Sequence, residues 1–234
     1  MYEYLNTFFD MAEIVGTVAF AASGAMLAID RELDMFGVMF LGVIAAVGGG
    51  VTRDLLLGIV PPTAFRNPLY VMLAVPVSIV VFLFAWRRQK LYQRRHLMMD
   101  QVFNLFDAVG LGLFGVIGVE AALARGHADN MFLCVFMGMT TGVGGGILRD
   151  LLSLTIPSVL KKHIYAIAFI TGSCVYYLFR LTDMHEAVAT VISMAVTIVI
   201  RVSATYFHWD LPSVHWNRQI PEDIRHDEKS PVCR

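Results

Sequence analysis

The chain has 234 residues, 57% of them hydrophobic and 16% charged, with a mean hydropathy of +0.64. A water-soluble domain carries about 25% charged residues, so this chain has too few to cover a water-facing surface. Its net charge of −1 provides no basic face for nucleic acid, and its three cysteines (Cys134, Cys174, Cys233) lack the paired spacing of a disulfide framework or a zinc site.

The opening stretch, MYEYLNTFFDMAE, has no basic leader and carries Glu3, Asp10 and Glu13, so a cleaved signal peptide is not expected. A bilayer core is crossed by about 20 apolar residues in helical form. Seven stretches qualify, at 11–29, 35–61, 69–86, 102–124, 130–156, 164–180 and 186–207. The predicted fold is therefore all-α, a membrane protein of seven transmembrane helices. Spans two and five each hold a glycine triplet, Gly48-Gly49-Gly50 and Gly144-Gly145-Gly146. Span three is followed by RRQKLYQRRH, with Arg87, Arg88, Lys90, Arg94 and Arg95; span five is followed by Lys161 and Lys162. From His208 a polar, proline-dotted tail carries Arg218, Arg225 and Lys229. Seven spans put all these cations on one side, opposite only Arg66, Arg125 and Arg180. That side is expected to be cytoplasmic, with the N-terminus outside and the C-terminus inside.

The chain repeats itself. MFGVMFLGVIAAVGGGVTRDLL, from Met35, aligns with MFLCVFMGMTTGVGGGILRDLL, from Met131, and twelve of the 22 positions are identical. The first spans match as Glu13-x-x-Gly16-x-x-x-Phe20-x-x-x-Gly24 against Asp107-x-x-Gly110-x-x-x-Phe114-x-x-x-Gly118. Each copy holds three spans. An odd number makes the second copy enter the membrane from the opposite side, the inverted-repeat plan of many transporters. The expected division is 1–98 and 99–184 for the two repeats, 185–207 for an unrepeated seventh helix, and 208–234 for a cytoplasmic tail.

Two readings of the glycines stand. Gly42, Ala46 and Gly50, with Gly138, Gly142 and Gly146, place a small residue at every fourth position, which lets helix backbones approach closely. Three consecutive glycines also weaken a helix by about 1 kcal/mol each relative to alanine. That favours helix breaks at both triplets, whose carbonyls would face a cation or water. Arg53–Asp54 and Arg149–Asp150 follow the triplets, and such charges inside a membrane normally face the bundle interior or a wet cavity. Each arginine is expected either to pair with an aspartate, even of the other repeat, or to reach the pathway. Asp54 is expected in the first turn of a restarted helix. Thr52, Thr140, Thr141 and Ser153 are candidate cavity hydroxyls. Glu13 and Asp107 are expected as acids at opposite mouths, and Arg201 is expected to snorkel. His127 and His163 are weak metal candidates, so neither metal nor cofactor is expected. The triplet lacks the lysine and spacing of a phosphate loop, and no nucleophile–base set appears, so the chain does not read as an enzyme.

At these paired GGG-x-x-RD and ExxGxxxF/DxxGxxxF motifs the chain resembles prokaryotic members of the trimeric intracellular cation (TRIC) channel family. Bacterial relatives with this duplicated module are also labelled as a glycine-transporter family. The resemblance covers about 11–207. It implies a homotrimer in a bacterial inner membrane, with one pore per protomer lined by spans one, two, four and five and kinked at the triplets. It implies potassium, or other monovalent cations, as the permeant, with membrane lipid as the surrounding partner. An arginine beside a cation path suits such a channel only if an aspartate neutralises it. The same arginine would suit the carboxylate of a small amino acid, so a carrier for glycine or a similar substrate is the alternative. A purely structural scaffold would leave the polar interior unexplained.

Overall fold

The computed structural model describes residues 2–88, 96–161, 164–182 and 184–207. The basic linker at 89–95, Lys162, His163 and the expected tail from His208 lie outside the described residues. The elements are α1 (Tyr2–Asp30), α2 (Met35–Leu56), the short α3 (Thr63–Arg66), α4 (Leu69–Arg87), α5 (His96–Leu123), α6 (Met131–Leu152), the short α7 (Ser158–Lys161), α8 (Ile164–Leu181) and α9 (Glu186–Tyr206). Six of these are long and apolar enough to cross a membrane, and the Ala166–Leu181 stretch of α8 is a shorter apolar helix. The fold is an all-α membrane protein of two inverted three-helix repeats, α1-α2-α4 and α5-α6-α8, with α9 as the seventh span.

The repeat is visible in the helix ends. Asp34 Oδ1 accepts from the Gly37 amide (2.7 Å) at the start of α2, and Asn130 Oδ1 accepts from the Leu133 amide (2.9 Å) at the start of α6. Each satisfies one of the orphan donors of a helix N-terminus. Beyond the other ends, Gly58 (φ 71°) and Leu154 (φ 54°) both adopt the left-handed conformation that closes a helix.

Lipid is as apolar as leucine, so close van der Waals contact, not hydrophobicity, must hold these helices together. The glycines supply that contact. A Cβ on Gly24 would lie 2.7 Å from the Leu41 carbonyl oxygen, and one on Gly118 would lie 2.5 Å from that of Met137. This locks the first helix of each repeat to the second. The two repeats meet through α2 and α6, and through α1 and α5. Gly110 makes room for the Phe20 ring and Gly16 for the Phe114 ring, and the two rings stack with centroids 5.3 Å apart. The glycine and phenylalanine of ExxGxxxF thus pair with each other's counterparts across the repeat axis. α4 packs on α1 and α2, α8 packs on α5 and α6, and α9 covers α5 and α8, with no equivalent helix on the α4 side among the described residues.

α2 and α6 run unbroken through both triplets, which corrects the expected helix breaks. A Cβ on Gly49 would overlap the Thr141 carbonyl oxygen, and one on Gly145 would overlap that of Ala45. These glycines let two helix backbones touch. The energetic reason is direct. Glycine weakens a helix by about 1 kcal/mol, whereas each backbone group left unpaired in an apolar interior costs several kcal/mol.

Candidate functional site

The repeated charged motifs form two half-sites, one in each repeat. In the first, Arg53 lies in the last turns of α2 and is 8% exposed. Its Nε and Nη2 donate to Asp54 Oδ1 at 2.9 and 2.7 Å. Asp54 Oδ2 accepts the Thr63 amide at 2.7 Å, the first residue of α3. Asp54 therefore ends an unbroken helix and caps the next one, rather than opening a restarted helix. Glu13, half-buried on α1, accepts a hydrogen bond from the Tyr70 hydroxyl of α4. Glu13 and Arg53 share no hydrogen bond or ion pair. Between them lies a cavity of ≈ 50 Å³ lined by Glu13, Thr17, Gly50, Arg53, Tyr70 and Thr141, with Phe114 in its wall.

The second half-site is built from the equivalent residues and differs. Arg149 is 0% exposed. Its Nε donates to Asp150 Oδ1 at 2.8 Å, as in the first repeat, and Asp150 Oδ2 accepts the Ser158 amide at 2.7 Å to cap α7. Its Nη1, however, donates to Asp107 Oδ1 at 2.7 Å and to the Ser23 hydroxyl of α1. The Phe103 ring lies 4.9 Å from its guanidinium carbon. Arg201 of α9 reaches within 3.7 Å of Asp107 Oδ2. Asp107 is therefore buried in a charge network and not at a mouth. Arg201 is buried instead of snorkelling, because a carboxylate inside the bundle holds its charge.

Several hydroxyls are taken up within their own helices. Thr52 donates to the Gly48 carbonyl, Thr140 to Phe136, Thr141 to Met137 and Ser153 to Arg149, at 2.7–2.9 Å. Of these, only Thr141 lines the cavity, where its oxygen lone pairs remain usable as acceptors. Gly50 is the only triplet residue in the cavity wall; Gly48, Gly49, Gly144, Gly145 and Gly146 are not among its lining residues. His127 is in a loop, and among the described residues no group of three or more His, Cys, Asp or Glu could hold a metal.

A sequence model described as "Glycine transporter" matches the chain twice, at residues 10–86 and 104–181. The inner membrane protein YadS of Escherichia coli K12 is 37% identical over 205 residues, covering 86% of this chain and 93% of that one. A structure reported for conductance through TRIC cation channels superposes with a TM-score of 0.76 at 34% identity, covering 89% of this chain and 98% of its own. The TRIC orthologue from Rhodobacter sphaeroides gives a TM-score of 0.78 at 31% identity, covering 87% and 100%. The chain belongs to the TRIC family.

For a TRIC-family chain, the first half-site offers hard oxygen donors from Glu13, Thr17 and Thr141 around one small cavity. Arg53 stands at its edge but is neutralised by Asp54, so two carboxylates face one guanidinium. Sequence reasoning missed Tyr70, Thr17, Ser23 and Phe103, whose roles depend on distant partners. One signal for Tyr70 was present: Leu69-Tyr70 aligns with Ile164-Tyr165, as Ser78 does with Ser173.

Proposed function

We propose that this protein is a cation channel conducting potassium and other monovalent cations, a homotrimer with one pathway per protomer. The observation that carries this reading is the cavity between the repeats, where carboxylate and hydroxyl oxygens converge while the nearby arginine is paired. Oxygen donors of this kind replace part of a cation's hydration shell. We place it in a bacterial inner membrane, surrounded by lipid, with the N-terminus outside and the C-terminus inside. The functional halves are 1–98 and 99–184, followed by the seventh helix at 185–207 and a cytoplasmic tail at 208–234. The test is the purified protein in liposomes under a potassium gradient. Potassium flux without a coupled substrate supports the channel. Crosslinking in mild detergent supports the trimer if it stops at three copies.

A second reading is favoured by one observation. Glu13 and Arg53 present opposite charges to the same cavity without bonding each other, which suits the two ends of a small amino acid. Saturable glycine uptake, competed by alanine or serine and lost in Arg53→Gln, with no unitary cation currents, would replace the channel with a carrier.

A further inference from the structure

Polar residues run down one face of α9: Glu186, Thr190, Ser193, Thr197 and Arg201, three or four positions apart. Such spacings share a helix face, and this face meets α5 and α8, on which α9 packs. Thr190, Ser193, Thr197 and Arg201 are all buried there. Polar groups inside a membrane span are costly and mark a partner or a pathway.

Each end of the stripe meets a cavity. At one end, a cavity of ≈ 240 Å³ is lined by Glu120 of α5 and Arg180 of α8. Arg180 pairs with Glu120 at 3.2 Å and with Glu186 at 2.7 Å, so two carboxylates face one guanidinium. At the other end, a cavity of ≈ 440 Å³ is lined by Gln101, Asn104 and Arg201, and Asp107 Oδ2 lies 3.7 Å from Arg201. The stretch from Thr190 to Thr197 lies between the two and rises about 10 Å.

Hydroxyls fill that stretch. Tyr176 of α8 is wholly buried, donates to Glu120 Oε2 at 2.8 Å and lies within hydrogen-bonding reach of Thr190. The Thr190 hydroxyl donates to the Glu186 carbonyl at 2.9 Å and the Thr197 hydroxyl to the Ser193 carbonyl at 3.0 Å. Both oxygens keep lone pairs that can accept. Ser193 Oγ, between them and 0% exposed, has no hydrogen-bond partner among the described residues. A buried hydroxyl in that state suits a bridging water. The seam is too tight for an ion: a Cβ on Gly172 of α8 would overlap the Thr197 hydroxyl and lie 3.1 Å from the Ser193 carbonyl oxygen. The first repeat has no such seam, since Glu120, Tyr176 and Arg180 align with Met26, Val81 and Ala85.

We infer that the seam between α5, α8 and α9 conducts protons, on a route separate from the cavity at Glu13 and Arg53. Glu120 takes a proton from water in its cavity and gives one to the Tyr176 oxygen. Tyr176 passes its own proton to Thr190, and the exchange continues through Ser193 and Thr197 to water beside Asp107 and Arg201. Each hydroxyl gains one O–H bond as it loses another, so one proton leaves for each that enters, and rotation of the hydroxyls resets the chain. Oxygens a turn apart on α9 are joined by a water at Ser193. Protons move by exchange along hydrogen bonds and need no open bore, which the contact at Gly172 denies to potassium.

The test uses the full chain in liposomes that enclose a pH-sensitive dye, with a membrane potential set by a potassium gradient and a potassium ionophore. The parent should acidify the lumen faster than protein-free liposomes do. Ser193→Ala and Thr197→Val each break a single-file chain and should cut the protein-dependent proton flux by about tenfold or more. Ser193→Thr keeps the hydroxyl and should retain the flux. Potassium flux, measured separately without ionophore, should be unchanged in all three variants. Proton flux in the parent no faster than in protein-free liposomes overturns the inference. So does proton flux that survives Ser193→Ala combined with Thr197→Val, or that falls in Glu13→Gln and not in the seam variants. Proton flux that depends on Ser193 while potassium flux is absent from the parent supports the seam and rejects the channel reading.

Discussion

Gly49 and Gly145 stand against each other where α2 crosses α6, each close to the other's backbone and each covering a carbonyl oxygen of the opposite repeat. Gly49 lies on Thr141 and Gly145 lies on Ala45, and the two contacts interchange when the repeats are exchanged. The axis relating the repeats runs through this crossing.

The crossing makes neighbouring glycines unequal. Gly49→Ala and Gly145→Ala insert a methyl into backbone and should each destabilise by about 1–3 kcal/mol, the usual range for overpacking. Gly50→Ala meets nothing nearer than 3.9 Å and gains helix propensity, so it should be neutral or stabilising by up to about 1 kcal/mol. Thermal unfolding in detergent separates the cases. Equal losses at Gly49 and Gly50 would reject close backbone contact as the role of Gly49.

On the proposed channel reading Glu13 would act on cations through its field, so its effect should depend on ionic strength. Glu13→Gln is expected to lower potassium conductance at about 0.01 M salt, where the Debye length is about 30 Å, and to approach the parent value near 1 M, where it is about 3 Å. Tyr70→Phe should also lower conductance, because a released Glu13 can swing toward Arg53 and fill the cavity. Single-channel recording across a salt series measures both. A Glu13→Gln deficit of constant proportion at all salt concentrations would rule out an electrostatic role.

Leu154 occupies the left-handed position that Gly58 fills in the first repeat, and it is 94% exposed. A side chain there costs about 1–2 kcal/mol. Leu154→Gly should recover up to about 1 kcal/mol after the extra freedom of the unfolded chain is deducted. A lower midpoint in thermal unfolding would show that the exposed leucine makes a contact worth more than its backbone strain.

Orientation can be read from two exposed loop positions. Arg88→Cys, at the end of α4, should react with an impermeant thiol reagent only after cells are opened. Asp129→Cys, in the loop before α6, should react in intact cells. The opposite pattern reverses the topology.

The repeats, the seven spans and the importance of the ExxGxxxF motif were legible because each is a local spacing carried twice. The helix breaks were misread for an equally local reason. Glycine's propensity penalty is visible in sequence, while the larger cost of freeing backbone groups away from water is not. Arg201 looked like a residue free to reach the interface, since nothing on α9 announces that Asp107 of α5 lies beside it. Ser23 is one small residue in AASGAM with no motif around it. Its partner Arg149 is 126 positions away, and only the inverted packing of the repeats brings them together.

α9 stands outside the duplication and packs chiefly on the second repeat, with only a slight contact to α1 of the first. A chain folded from two identical inverted halves would be degenerate: exchanging the states of the halves would give a conformation of equal energy related by the two-fold axis, and the protein would have no preferred side. Arg201 beside Asp107, with Ser23 where the second repeat has Ile117, lifts that degeneracy. The unrepeated helix thereby makes the two membrane faces of a nearly symmetric architecture chemically unequal, so that they are no longer interchangeable.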